Sequence, residues 1–171
     1  MSKKGRRAPG RTVLASAILL AAATADAAAP LTLTGWDARA VGAARAGAVK
    51  RLESEECRKV FTDFCDTGGR PLQQTLEEWT PSPAEYVGLI PFVDGSREAL
   101  CRRSNVALVA QPGVRRVYVC KAFADVALRQ PAVAEAMVIH EILHTLGLGE
   151  APMPGQPTSL EITQRVEARC R

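Results

Sequence analysis

His140-Glu141-Ile142-Leu143-His144 has the residue types and spacing to do chemistry, and the chain's only two histidines both lie in it. On a helix, residues four apart lie about 40° apart around the axis, so His140 and His144 would stand as two arms of a pincer. Glu141 would sit about 100° round from His140, beside the pincer. Two neutral imidazoles so placed suit a metal ion, and a neighbouring carboxylate suits a metal-bound water. The plainer alternative is a pair of core histidines satisfied by hydrogen bonds alone.

A catalytic zinc commonly has three protein ligands and one open position. With no third histidine, the remaining ligand must be of another type. Glu150 is the first candidate. Gly147 can take the left-handed conformation that ends a helix and turns the chain back, and Glu150 follows three residues later. Glu161 is the rival through a longer loop, although its place three residues after Thr158 also fits a helix cap. A thiol such as Cys170 competes only if it is unpaired.

These residues need an element to hold them. Pro131 opens a helix and Gly147 stops it. Between them Val133, Ala134, Ala136, Met137, Val138, Ile139, Ile142, Leu143 and Leu146 leave it apolar almost all round, as in a helix buried mid-domain. Two histidines and a glutamate there are costly unless something such as a cation satisfies them. Glu135, before His140, is a candidate for a supporting hydrogen bond.

Upstream, Asp37 to Phe64 is rich in helix formers, with Cys57, Val60, Phe61 and Phe64 as an apolar stripe, and Asp66-Thr67-Gly68-Gly69 ends it in a turn. Ser82-Pro83-Ala84-Glu85 has the capping-box pattern of a short helix start. Ile90 to Val93 reads as a short strand. Asn105–Ala110 and Val114–Cys120, flanking Gln111-Pro112-Gly113, read as a β-hairpin with Val117 and Val119 on one face and Arg116 and Tyr118 on the other. After a proline-rich connection, Thr158-Ser159-Leu160-Glu161 opens a last helix reaching about Arg169.

Residues 1–27 read differently. Lys3, Lys4, Arg6, Arg7 and Arg11 precede an apolar run from Thr12 to Ala23 and a small-residue exit at Ala25-Asp26-Ala27, the order of a secretory signal peptide. The run is shorter than the roughly 20 residues of a membrane span, with an uncleaved anchor as the alternative. Five of the 22 basic residues and one of the 18 acidic residues precede Ala28. Residues 28–171 therefore carry no net charge, and the +4 of the whole chain belongs to the leader. No basic stripe interleaved with aromatics remains, which excludes nucleic acid as the expected partner, and no membrane attachment is expected after cleavage. Residues 28–171 suffice for a single domain. An exported chain, secreted or periplasmic, should pair its cysteines. Cys101 and Cys120 bracket the hairpin and form the expected bridge, Cys170 is left to Cys57 or Cys65, and one thiol stays free.

The run from His140 to Glu150 resembles the elongated motif of the metzincin branch of the zincin metallopeptidases, His-Glu-x-x-His-x-x-Gly-x-x-His/Asp, with Glu in the last place. That resemblance covers eleven residues. It implies an α+β zincin-like fold: a small mixed sheet, a buried active-site helix, and flanking N- and C-terminal helices, with an edge strand that aligns an extended peptide. It also implies zinc as cofactor, a peptide or protein as substrate, His140, His144 and Glu150 as ligands, and Glu141 as general base. The chain departs from the branch in its Glu ligand, a choice known from the gluzincin branch, and in lacking a distant methionine turn: Met153 is the only later methionine. Tyr118 and Tyr86 are candidates for stabilising an oxyanion, each also readable as a packing residue. The expected function is a secreted zinc metallopeptidase. The alternatives are a cell-wall peptide hydrolase and a catalytically silent metal- or partner-binding domain.

Overall fold

The computed structural model describes residues 33–80, 82–103 and 106–171. The leader expected at residues 1–27 lies outside them. In chain order the elements are α1 (Gly35–Leu52), α2 (Glu55–Arg58), α3 (Val60–Asp63), α4 (Leu72–Glu77), α5 (Pro83–Leu89), β1 (Phe92–Asp94), α6 (Ala99–Arg103), β2 (Leu108–Ala110), β3 (Val117–Val119), α7 (Phe123–Arg129), α8 (Pro131–Thr145) and α9 (Ser159–Arg169). The class is α+β, with one small mixed sheet.

Helix α8 is the centre. Pro131 occupies its first turn, where a missing N–H costs nothing, and Ile139, Ile142 and Leu143 are fully buried. Its end is a full Schellman turn. Gly147, at φ +110°, donates its N–H to His144 O (2.9 Å), and Leu148 donates to Leu143 O (3.2 Å). A side chain at Gly147 would be strained by that φ and would also meet Asp66, whose Cβ lies 2.9 Å from where a Cβ would sit.

Helices α1, α7 and α9 and the sheet pack around α8. Helix α1 packs on it through Ala44 and Ala48, and also touches α5 and α7. Gly47 lets the Glu135 carboxylate pass, and Glu135 then pairs with Arg51 at 2.6 Å. Helix α9 lies along α8 with Ile162 and Val166 in the core. The strand order is β1-β3-β2, with β1 parallel and β2 antiparallel to β3, and β2 is the strand nearest α8.

Several expected elements are present with different bounds. The single helix expected over Asp37–Phe64 breaks at Ser54, whose Oγ accepts from Cys57 N (3.3 Å) and starts a new turn. Phe64 is extended and only partly buried, so the apolar stripe ends at Phe61. The strand near Ile90 falls two residues later, over Phe92–Asp94. Helix α5 starts at Pro83 as expected, but its capping box does not form: Glu85 accepts instead from Thr80 Oγ1 at 2.5 Å. The hairpin pairs Leu108 with Val119 and Ala110 with Val117, and it buries Val117 and Val119 as expected. The cap of α9 forms fully, Thr158 and Glu161 bonding each other's backbone.

Two disulfides are present: Cys101–Cys120, as expected, and Cys57–Cys170, which lies in the core, while Cys65 is exposed and free. Such bridges fit an oxidising, extracellular environment. No helix among the described residues is long and apolar enough to cross a membrane.

Candidate metal centre

One turn apart on α8, His140 and His144 bring their Nε2 atoms to 3.1 Å, with ring centroids 5.0 Å apart. Both rings are buried, so their outer nitrogens need partners. His144 Nδ1 lies 2.7 Å from Leu148 O, a carbonyl delivered by the Schellman turn. A carbonyl only accepts, so this nitrogen carries the proton and His144 Nε2 presents a lone pair. His140 Nδ1 meets Thr163 Oγ1 of α9 at 3.0 Å.

The same turn returns Glu150 to the pincer. Its Oε2 lies 3.3 Å from His144 Nε2 and 3.7 Å from His140 Nε2. Ligands about 2.0–2.1 Å from a tetrahedral ion are about 3.3 Å from one another. The spacings of 3.1, 3.3 and 3.7 Å bracket that edge, so this donor set could hold a metal ion. Glu161 does not join it: its carboxylate accepts from Thr158 N (2.7 Å) and Thr158 Oγ1 (2.8 Å). Cys170 is spent in its disulfide.

The electrostatics agree with the geometry. Burial pushes the His144 imidazole below its ordinary pKa, favouring the neutral form that a metal ligand needs. The nearby His140 imidazole, with His144 beside it, holds the Glu150 carboxyl below the usual range. Glu141 behaves oppositely. Burial pushes it up to about 7, while His140 and a hydrogen bond from the Ala110 N–H oppose the rise and Glu150 adds to it.

Glu141 and the three donors share a groove of about 290 Å³, walled by Leu108, Val109 and Ala110 of β2 and by Met153 and Ser159 opposite. Among the described residues β2 is an edge strand. Ala107 O accepts from Cys120 N (2.9 Å) and Val109 lies opposite Tyr118. Alternation therefore turns the backbone groups of Leu108 and Ala110 away from β3, and the Ala110 N–H bonded to Glu141 is one of them.

Three other sequence candidates lie elsewhere. Tyr86 is fully buried and bonds Thr145 O (3.4 Å) and Thr145 Oγ1 (3.3 Å). Tyr118 is on the face of β3 opposite Val117 and Val119, with Arg116 above its ring. Neither lines the groove. Glu135, expected as a support for the site, is committed to Arg51, because Gly47 opens its path toward α1. Sequence reasoning missed Thr163. The signal was present: Ile162 and Val166 set the buried face of α9, and Thr163 follows on its flank.

No family model matches the chain, and no similar curated protein or solved structure was found.

Proposed function

We propose that this chain is an exported, zinc-dependent peptidase of the zincin type, with His140, His144 and Glu150 as zinc ligands and Glu141 as general base. The observation that carries this reading is a buried carboxylate, Glu141, beside three convergent metal donors, in a groove walled by an edge strand. Zinc is favoured over harder cations by the two-imidazole, one-carboxylate set. A zinc ion held there would supply Lewis acidity, polarising a peptide carbonyl and acidifying water.

The chain's own residues supply the rest. Leu108 offers its outward N–H and C=O, and Ala110 its C=O, to an extended peptide, which would add as a strand. Glu141, with the Ala110 N–H beside it, would accept a proton from the attacking water. Glu141 then passes that proton to the departing amine. The apolar walls thin the water around the reacting bond.

A second reading has one observation in its favour. Among the described residues no Tyr or Arg lines the groove, so none of those side chains is at hand for a developing oxyanion. That suits a metal-binding domain without catalysis. One experiment separates the two: purified protein and its Glu141→Gln variant, both zinc-loaded, are incubated with a peptide library and the products read by mass spectrometry. The peptidase reading predicts cleavage by the first, none by the second, and equal zinc content. No cleavage by either favours the silent domain, and equal cleavage by both removes Glu141 as the base.

A further inference from the structure

The two histidines are held by different kinds of partner. His144 Nδ1 faces a backbone carbonyl, which can only accept. His140 Nδ1 faces the Thr163 hydroxyl, which can accept or donate. The difference matters because the rings also face each other. His144 has its proton on Nδ1, so its Nε2 is an acceptor 3.1 Å from His140 Nε2. Without a cation, that acceptor and Glu150 Oε2 at 3.7 Å both draw the His140 proton to Nε2. His140 Nδ1 is then a lone pair, and the Thr163 hydroxyl donates to it. A metal ligand must instead offer its lone pair at Nε2. His140 then carries its proton on Nδ1, and the hydroxyl must turn to accept.

We infer that Thr163 is a positioning residue of the metal centre: its hydroxyl turns from donor to acceptor as His140 moves its proton from Nε2 to Nδ1. The proton count of the ring is the same in both states, one leaving Nε2 to solvent and one arriving at Nδ1. Helix α9 is built to hold this hydroxyl still. Its N-terminus is closed by the Thr158–Glu161 box, Ile162 and Val166 anchor it in the core, and its C-terminus is tied through Cys170 to Cys57. Arg169 braces it further by a paired contact to Asp63 at 2.8 and 2.9 Å. The inference rests on the metal-centre reading and adds to it a residue that acts only through His140.

The test uses the whole folded chain and zinc alone. Zinc affinity is measured by competition with a chromophoric chelator for the unchanged protein, Thr163→Ser and Thr163→Val. Valine keeps the shape and removes the hydroxyl, and serine keeps the hydroxyl. Loss of an outer partner of this kind typically weakens a metal site about 10–100-fold. The expected result is that loss for Thr163→Val and near-full affinity for Thr163→Ser, with the metal-free valine variant folded but melting somewhat lower because the buried His140 Nδ1 has lost its partner. Nitrogen-15 spectra of the two imidazoles supply a second readout. His140 should show Nε2–H without zinc and Nδ1–H with it, while His144 stays Nδ1–H. The inference is overturned by equal affinity of the valine variant, by failure of serine to rescue, by an affinity loss that only follows lost stability, or by a His140 tautomer unchanged on loading. If the unchanged protein binds no zinc, the metal-centre reading itself has failed.

Discussion

Glu141 should make the metal-free protein lose stability as pH rises, and Glu141→Gln should abolish that loss. Burial lifts this carboxyl from its ordinary 4.5 to about 7 in the folded chain. A folded-state pKa above the unfolded one means that the folded state binds the proton more tightly. The stabilisation is therefore present below the unfolded pKa and lost as pH rises through the folded one. A separation of that size corresponds to about 3 kcal/mol, expressed over the span from about pH 4 to about pH 8. Other groups titrate in the same span. His144, whose pKa burial lowers, destabilises the fold as pH falls. Glutamine resembles the protonated acid and can still accept from Ala110, so the difference between the two proteins isolates Glu141. The assay is urea unfolding at several pH values with a chelator present. The gap between the variant and the parent should widen by about 3 kcal/mol in the variant's favour toward alkaline pH. Parallel curves would refute the claim that this carboxylate is desolvated.

Two further outcomes follow from the same contacts. Glu150→Ala should weaken zinc binding by well over tenfold in a chelator competition, whereas Glu161→Ala should leave zinc affinity unchanged and lower stability only slightly through the lost capping box of α9. The reverse pattern would exchange the two carboxylates' roles. Cys57→Ala opens the bridge between α2 and α9, whose ends are 113 residues apart in sequence, and should cost about 2–5 kcal/mol in denaturant unfolding; Cys65→Ser, at an exposed free thiol, should cost almost nothing.

The centre of the molecule was legible because local signals coincided there. Pro131, the apolar run and Gly147 bound α8 to within two residues, and the glycine's left-handed turn is what returns Glu150 to the pincer. The hairpin and the capped start of α9 were legible for similar reasons, since each rests on residues close in sequence. Contacts between distant residues were not. Ser54 breaks a composition that reads as continuous helix. Glu85 has a cap-forming position but finds the Thr80 hydroxyl first. Helices α4, α6 and α7 are short pieces whose formation depends on packing more than on their own propensity. The partner of Cys170 was open between Cys57 and Cys65, and the approach of α9 to α2 decides it. Thr163 is 23 residues from His140, and only the docking of α9 on α8 joins them.

The most direct test of the central claim is metal analysis of the purified, folded chain by mass spectrometry after dialysis against buffer containing trace zinc. With His140, His144 and Glu150 acting as one donor set, the result should be about one zinc per chain, falling to near zero when both histidines are replaced by alanine. A chain that retains no zinc, or a double variant that retains as much as its parent, would contradict it.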